Sequence, residues 1–240
     1  MAVLIGSARS DENGNAHSGK AGDQKSGKEV STQSWYKHSK GWRAFRCKDP
    51  DKAKKMAEAM RMLCDTNNVG YDQWQRNTLY DALKKVGWDL LKLDKAVETD
   101  CSALIRVCAA CAGITLPDFN TSSEASVLLA SGQFVELTGS KYTDQDAYLA
   151  IGDVLVTKTK GHTVMVLTNG SKHVAVVETA EGPVVKAGSW NVRSGPGTGY
   201  PVVDVLHGGD RLTEVSTDGW MAIRHGDGIA YISRSAVEKG

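Results

Sequence analysis

The stretch Thr99-Asp100-Cys101-Ser102, with the apolar run 103–112 behind it, carries the strongest structural and chemical signal in the sequence. Apolar residues recur at helical spacing after Cys101, so the run predicts a helix that begins there and ends before Gly113. Either Thr99 or Asp100 caps this helix, because a short side-chain oxygen accepts a hydrogen bond from a free N–H of the first turn. Cys101 then lies at the positive end of the helix dipole, which favours the reactive thiolate.

Length and composition leave room for two domains and exclude several classes of protein. The chain has 240 residues, of which 41% are hydrophobic and 24% charged, and its net charge is +1. It has no basic excess of the kind that a nucleic-acid partner requires. The apolar start, residues 1–5, is too short for a signal peptide or a membrane span, so we expect synthesis in the cytoplasm and no membrane partner. Five cysteines, an odd number, favour reduced thiols.

Helical patterns fill most of the first half of the chain. Residues 6–32 are rich in Gly, Ser, Asp and Asn and predict a long loop. Asp49-Pro50 opens a helix that runs to about Cys64, since Asp is a good cap and Pro suits the first helical position. A second helix is predicted over about 73–86, and a short fourth helix begins at Ser122 or Ser123.

After residue 150 the pattern changes from helical to alternating. Residues 154–156 and 162–168 predict strands, and Asn169-Gly170 predicts a tight turn into a further strand over 171–179. Helices followed by strands indicate an α+β domain over residues 1–180, with a helical layer packed on an antiparallel sheet.

Beyond a Gly-Pro boundary at 181–183, the chain loses every helical pattern. Short strands separated by glycine-rich turns predict a small all-β barrel over 184–240. The expected strands are Trp190–Arg193, Val202–Leu206, Leu212–Val215, Trp220–Arg224 and Ile229–Ile232.

A cysteine nucleophile needs a base and a third group that orients the base. His162 opens a predicted strand and faces the start of the Cys101 helix if that helix packs on the sheet. The turn at Asn169-Gly170 then selects the third group. A two-residue turn puts His173 on the face of His162, and a three-residue turn puts Glu178 opposite His162. We favour His173 because two-residue Asn-Gly turns are commoner, and Glu178 is the alternative.

Three short motifs resemble those of the NlpC-type papain-like peptidases of bacterial cell-wall turnover: Asp100-Cys101-Ser102, Gly152-Asp153-Val154 and Gly161-His162-Thr163-Val164. The resemblance implies a papain-like catalytic domain in which Cys101 is the nucleophile and His162 the base. It also implies that Tyr71 frames the oxyanion site and that Asp100 and Ser102 help to bind substrate. The family's third polar residue falls where this chain has Val174, one position after His173.

The second domain resembles a bacterial SH3-like barrel, a type of domain that attaches enzymes to peptidoglycan. The stretches that carry this resemblance are Trp190-Asn191-Val192-Arg193-Ser194-Gly195-Pro196, Gly219-Trp220 and Ala230-Tyr231.

These features together predict a two-domain peptidoglycan hydrolase that resembles a phage or prophage endolysin. We expect cleavage of a stem-peptide amide bond through a thioester, as a γ-D-glutamyl endopeptidase or an N-acetylmuramoyl-L-alanine amidase. We expect no cofactor and no metal, and bacterial peptidoglycan as the partner, reached by release through a phage-type membrane pore. The sequence does not specify an oligomeric state.

Three other interpretations of the cysteines are possible. Cys108 and Cys111 have redox spacing or, with His162 and His173, could bind zinc, but they end a helix rather than open one, so burial is the simpler interpretation. In the third interpretation, the chain is a non-catalytic wall-binding adaptor and Cys101 is structural. Alkylation by iodoacetamide separates these roles, because we expect a catalytic thiolate to react fast near neutral pH.

Overall fold

The chain divides into two compact units, Met1–His173 and Val174–Gly240. The structure, a computed structural model, describes residues 2–22, 29–173, 184–208, 212, 214–216, 220–225 and 228–238. The expected division into residues 1–180 and 184–240 stays a prediction, because residues 174–183 lie outside the described ranges. Among the described residues, no helix combines the length and apolar character that a membrane span requires.

A six-stranded antiparallel sheet forms the centre of the first unit. From edge to edge its strands are β2 (Val30–Ser34), β1 (Leu4–Ala8), β8 (Thr163–Val166), β7 (Val154–Thr157), β3 (Trp42–Cys47) and β6 (Phe134–Leu137). A separate parallel pair joins β4 (Val69–Tyr71) to β5 (Val97–Thr99). The α-helices in the described part of this unit are α1 (Pro50–Asp65), α2 (Thr78–Lys85), α3 (Cys101–Cys111), α4 (Glu124–Ala130) and α5 (Ser140–Thr143).

Local sequence signals place the helix starts correctly at α1 and α3. The Asp49 side chain accepts hydrogen bonds from the first-turn N–H groups of α1, and Pro50 is its first residue. Asp100, rather than Thr99, caps α3. The second helix begins later than expected, because the Asp72 carboxylate accepts the N–H groups of residues 74 and 75 and holds them in a turn outside α2.

The long loop expected over residues 6–32 is wrong at both ends. Residues 6–8 belong to β1 and residues 30–32 to β2, and the two strands pair with each other. Gly6 fits β1 because a side chain there would collide with Met60, whose Cγ lies 2.6 Å from the position of a Cβ. The N-terminal segment is thus built into the central sheet.

The hairpin expected at Asn169-Gly170 is also wrong in its pairing. Both edges of β8 are already occupied, by β1 on one side and β7 on the other. Val166 pairs with Ile5, not with His173. After β8 the chain instead continues alongside residues 147–149, through hydrogen bonds from Gly170 N to Leu149 O and from Lys172 N to Ala147 O. The second strand of the hairpin, residues 174–179, lies outside the described residues.

The central sheet is buried on both faces, which fixes which side chains point toward α3. Helices α1 and α3 cover one face, where Phe45, Val154 and Met165 pack with Met60 and Leu104. A smaller apolar cluster covers the other face and consists of Val3, Ile5, Trp42, Ala44, Leu137, Tyr142, Leu149, Leu155, Val164 and Val166. Since side chains alternate along β8, Thr163 and Met165 face the helices.

The second unit is built of short strands, as expected. A five-stranded antiparallel sheet has the order β11 (Val202–His207), β10 (Ser189–Arg193), β14 (Gly228–Ser233), β13 (Trp220–His225) and β12 (Glu214–Ser216). A further pair, β9 (Val184–Val185) with β15 (Val237–Glu238), was not apparent from the sequence. Buried residues such as Val192, Met221, Ile223 and Ile232 give this unit its own core.

Candidate active site

Cys101 lies at the first position of α3, where the sequence predicts it. One oxygen of Asp100, Oδ1, accepts hydrogen bonds from the N–H of Ala103 (2.7 Å) and from the Ser102 hydroxyl (2.8 Å). Because α3 packs against β8, the backbone of Thr163 lies close enough to Cys101 to act on the pKa of its thiol. The nucleophile candidate is therefore held where a helix start meets a strand start.

The resting thiol of Cys101 is protonated. Burial raises its pKa above the ordinary value for cysteine, and the nearby Asp100 and Glu124 carboxyls raise it further. The N–H groups of Thr163 and Ser102 act in the opposite direction but do not outweigh these effects. The residue is only 6% exposed. The thiolate expected from the helix position is therefore disfavoured in the free protein, and fast alkylation at neutral pH is no longer expected.

His162 directly precedes Thr163, the first residue of β8. Its ring lies among aromatic side chains, with centroid distances of 6.5 Å to Trp42 and 6.4 Å to His38. Burial lowers the pKa of His162 to about 4, with smaller contributions from His38 and Arg9. The imidazole is thus neutral near pH 7, which is the form that accepts a proton.

Two tyrosines border the same site. Tyr71, at the end of β4, has its pKa raised to about 12 by burial and by Cys101, and its hydroxyl accepts a hydrogen bond from Gln73 at 3.0 Å. Burial also raises the pKa of Tyr36. Arg9 lowers this pKa, and Cys101 raises it. The tyrosine that the resemblance selected thus lies near the cysteine, and Tyr36 joins it from the segment before β3.

Arg76 ties Asp100 and Ser102 to the loop after α3. Its Nη1 donates to Asp100 Oδ2 at 3.0 Å and to Ser102 Oγ at 3.3 Å, and its Nη2 donates to Asp118 and to the carbonyl of Phe119. The two polar neighbours of Cys101, which the resemblance assigns to substrate binding, are therefore engaged within the protein. Sequence reasoning missed Arg76, because no local pattern distinguishes it from a surface arginine.

Glu124 is a second residue that sequence reasoning missed. It is the first residue of α4 and is completely buried, and its Oε1 accepts a hydrogen bond from the Thr163 hydroxyl at 2.8 Å. Burial raises its pKa well above the ordinary value for glutamate. Glu124 thereby holds Thr163, the residue whose backbone acts on the pKa of Cys101. The expected helix start at Ser122 or Ser123 was the nearest sequence signal.

The third catalytic residue is not located by the hairpin argument. The register that favoured His173 does not exist, because β8 pairs with β1 and β7. His173 follows the end of β8, whereas His162 precedes its start. Glu178 lies outside the described residues. Both candidates stay predictions, and His38 is the titratable side chain whose ring lies closest to His162 among the described ring pairs.

Cys108 and Cys111, the pair with redox spacing, lie in the last two turns of α3. Cys108 is fully buried in the core, and burial raises its pKa well above the ordinary value. Burial likewise raises the pKa of Cys111 to about 11. Among the described residues, no group of three or more His, Cys, Asp or Glu side chains is arranged to hold a metal ion. The redox and zinc interpretations thus gain no support.

Two family models match the chain, one in each unit. Residues 5–173 match the endolysin-like domain family, and residues 187–238 match the bacterial SH3 domain family. The chain belongs to the endolysin-like domain family, since the match covers well over half of it. An endolysin-like domain followed by a cell-wall-binding SH3 domain indicates an endolysin that acts on peptidoglycan. No curated protein matches the chain.

Proposed function

We propose that the first unit is a papain-like cysteine hydrolase of the NlpC type that cleaves an amide bond in the peptidoglycan stem peptide. One observation carries the proposal. Cys101 stands at the capped start of α3, and α3 packs against β8, the strand that His162 directly precedes. A cysteine at a helix start beside a histidine at a strand start is the arrangement on which thiol hydrolases depend.

The proposed reaction runs through a thioester. The neutral imidazole of His162 takes the thiol proton as the Cys101 sulfur attacks the amide carbon, and backbone N–H groups near Cys101 stabilise the oxyanion. The imidazolium then protonates the leaving amine, and the C–N bond breaks. Water hydrolyses the thioester in the second half, with His162 again as the base, and frees the thiol.

The resting charges fit a general-base mechanism rather than a preformed ion pair. The pKa of Cys101 is raised and that of His162 is lowered, so neither group is charged near pH 7. Proton transfer therefore accompanies attack on the bound substrate. Fixation of Thr163 by Glu124 would keep the strand start, and hence His162, in register with α3.

The bond that is cut is one of two. A γ-D-glutamyl endopeptidase would release a new D-glutamyl carboxyl group, and an N-acetylmuramoyl-L-alanine amidase would free the amine of L-alanine from the sugar. Digestion of purified cell walls with the full chain, followed by mass spectrometry of the soluble products, distinguishes them by their new ends. Release of neither product would contradict the proposal.

A second candidate function, a non-catalytic wall-binding adaptor, draws on the burial of Cys101. Its low exposure and raised pKa are also typical of a structural cysteine. The same digestion separates the two, because an adaptor leaves the walls intact. Synthesis in the cytoplasm and release through a phage-type membrane pore belong to the proposal, and fractionation of producing cells with and without a pore protein tests them.

A further inference from the structure

Trp74, in the segment between β4 and α2, exposes a large aromatic surface. The residue is 73% exposed. The His17 ring stacks on it, with the two ring centroids 4.0 Å apart and the ring planes 7° from parallel. The imidazole covers one face of the indole, so the other face is open to solvent. A tryptophan presented in this way is typical of binding surfaces, because its flat apolar ring is buried when a ligand covers it.

A buried carboxylate joins the two segments that carry this stacked pair. Asp72 is 1% exposed. Its Oδ1 accepts a hydrogen bond from the Trp74 N–H at 2.5 Å, and its Oδ2 accepts one from the Ser18 N–H, next to His17, at 2.7 Å. The main chain on both sides of the stack is therefore fixed by one side chain. A binding surface that is set in advance loses less conformational entropy when a ligand binds.

The segment that carries Trp74 also contacts the candidate active site. Just before Trp74, the Gln73 side chain donates a hydrogen bond to the Tyr71 hydroxyl at 3.0 Å. Two residues after it, Arg76 Nη1 donates to Asp100 Oδ2, beside the proposed nucleophile, at 3.0 Å. Consecutive Cα atoms are about 3.8 Å apart, so the Cα of Trp74 lies within about 8 Å of the Cα of Arg76. A group bound on the indole is thus close to a substrate bound in the candidate site.

The groups around Trp74 suit a neutral sugar. Its two neighbours in sequence, Gln73 and Gln75, are exposed and carry amides, which both donate and accept hydrogen bonds. The carboxylate of Asp72 is buried and engaged with main-chain N–H groups. A pyranose ring has an apolar C–H face that packs on an aromatic ring, and the hydroxyl and acetamido groups at its rim pair with amides.

We propose that the open face of Trp74 binds a sugar ring of the glycan strand, an N-acetylated amino sugar, while the attached stem peptide lies in the candidate active site. This inference rests on the proposed function and narrows it, because it assigns a second part of the substrate to the first unit. A stem peptide that still carries its sugars should therefore bind more tightly than the same peptide alone.

Binding to a catalytically silent protein tests the inference without requiring turnover. Two ligands are titrated into the full-length Cys101→Ala variant by calorimetry. One is a muropeptide, a disaccharide with its stem peptide, and the other is the same stem peptide without sugars. We expect the muropeptide to bind about 3- to 10-fold more tightly, which is the gain that one aromatic stacking contact provides.

Substitutions at Trp74 then assign that gain. In the Cys101→Ala background, Trp74→Ala should remove the gain by weakening only the muropeptide. Trp74→Phe should keep part of it, since phenylalanine retains a smaller aromatic face. The matched control is Leu91→Ala, which removes another apolar side chain of the same unit, at a residue that is 85% exposed. This control should keep the full gain.

Equal binding of the two ligands to the Cys101→Ala protein, or a gain that survives Trp74→Ala, would overturn the inference. An equal loss of affinity for both ligands in Trp74→Ala would also overturn it, because the indole would then bind the peptide, for example through an ammonium group. Failure of the proposed function is read separately, from cell walls that the wild-type chain leaves uncut. Circular dichroism of each variant confirms that the fold is retained.

Discussion

Arg76 holds Asp100 by a hydrogen bond of 3.0 Å between its Nη1 and the carboxylate Oδ2, directly beside Cys101. The other carboxylate oxygen caps α3. Asp100 therefore supports the start of the helix and has its charge balanced by a guanidinium. Its side chain is 9% exposed and that of Arg76 15%, so both partners are largely out of water.

Arg76→Ala should destabilise the protein strongly, because it leaves the Asp100 carboxylate buried without its partner. Removing one member of such a pair costs about 3 kcal/mol. Arg43→Ala is the matched control: it breaks a pair with Glu136 whose side chains are 36% and 29% exposed, for which we expect about 1 kcal/mol or less. Urea denaturation measures both, and equal losses would argue against a buried role for Arg76.

The pH dependence of hydrolysis should report the lowered pKa of His162. A base acts in its neutral form, and the pKa of His162 is lowered to about 4. The acid limb of kcat/KM, which reflects the free enzyme, should therefore lie near pH 4 rather than near the ordinary value for histidine. Initial rates on soluble muropeptides between pH 3 and 8 test this, and a limb near pH 6.5 would contradict it.

His38→Ala should slow lysis more than His173→Ala. The His38 ring lies 6.4 Å from that of His162 and 5.1 Å from that of Trp42, so it helps to fix the orientation of the base. His173 follows the opposite end of β8. A group that orients the base acts mainly on kcat. The kcat values of the two variants are therefore compared under conditions in which both are equally folded. A larger loss of kcat in His173→Ala would instead support His173 as the residue that orients His162.

A chain that ends at Gly182 should keep activity on soluble muropeptides and lose it on intact cells. The first unit has its own apolar core, so removal of the SH3 domain should not unfold it. Sedimentation with purified walls measures the loss of binding directly. Equal binding of the full and shortened chains would show that the SH3 domain is not the wall anchor.

The parts of the fold that the sequence predicts are those set by local contacts. Asp49-Pro50 and Asp100 cap their helices within a few residues, so α1 and α3 are apparent from spacing alone. β1 cannot be predicted in this way, because its partner Val166 is distant in sequence from Ile5. The same long-range pairing rules out the Asn169-Gly170 hairpin, although its local signal is strong.

The candidate site also contains residues that local sequence signals predict and residues that only long-range contacts place. Cys101 and His162 stand out because a cap and a strand start place them. Arg76 and Glu124 do not, since each acquires its role only from partners that the tertiary fold brings to it. The pKa of Cys101 is likewise set by the tertiary fold. The helix start favours the thiolate, but burial and the carboxyls of Asp100 and Glu124 raise the pKa by more than the helix start lowers it.

Loss of lysis in Cys101→Ala tests the central claim most directly. The substitution removes the sulfur and little volume, so circular dichroism and the melting temperature should show a folded protein. We predict that this variant releases no new peptide ends from purified cell walls, as measured by mass spectrometry, while the wild-type chain releases them. Release by Cys101→Ala at the wild-type rate would contradict the assignment of Cys101 as the nucleophile.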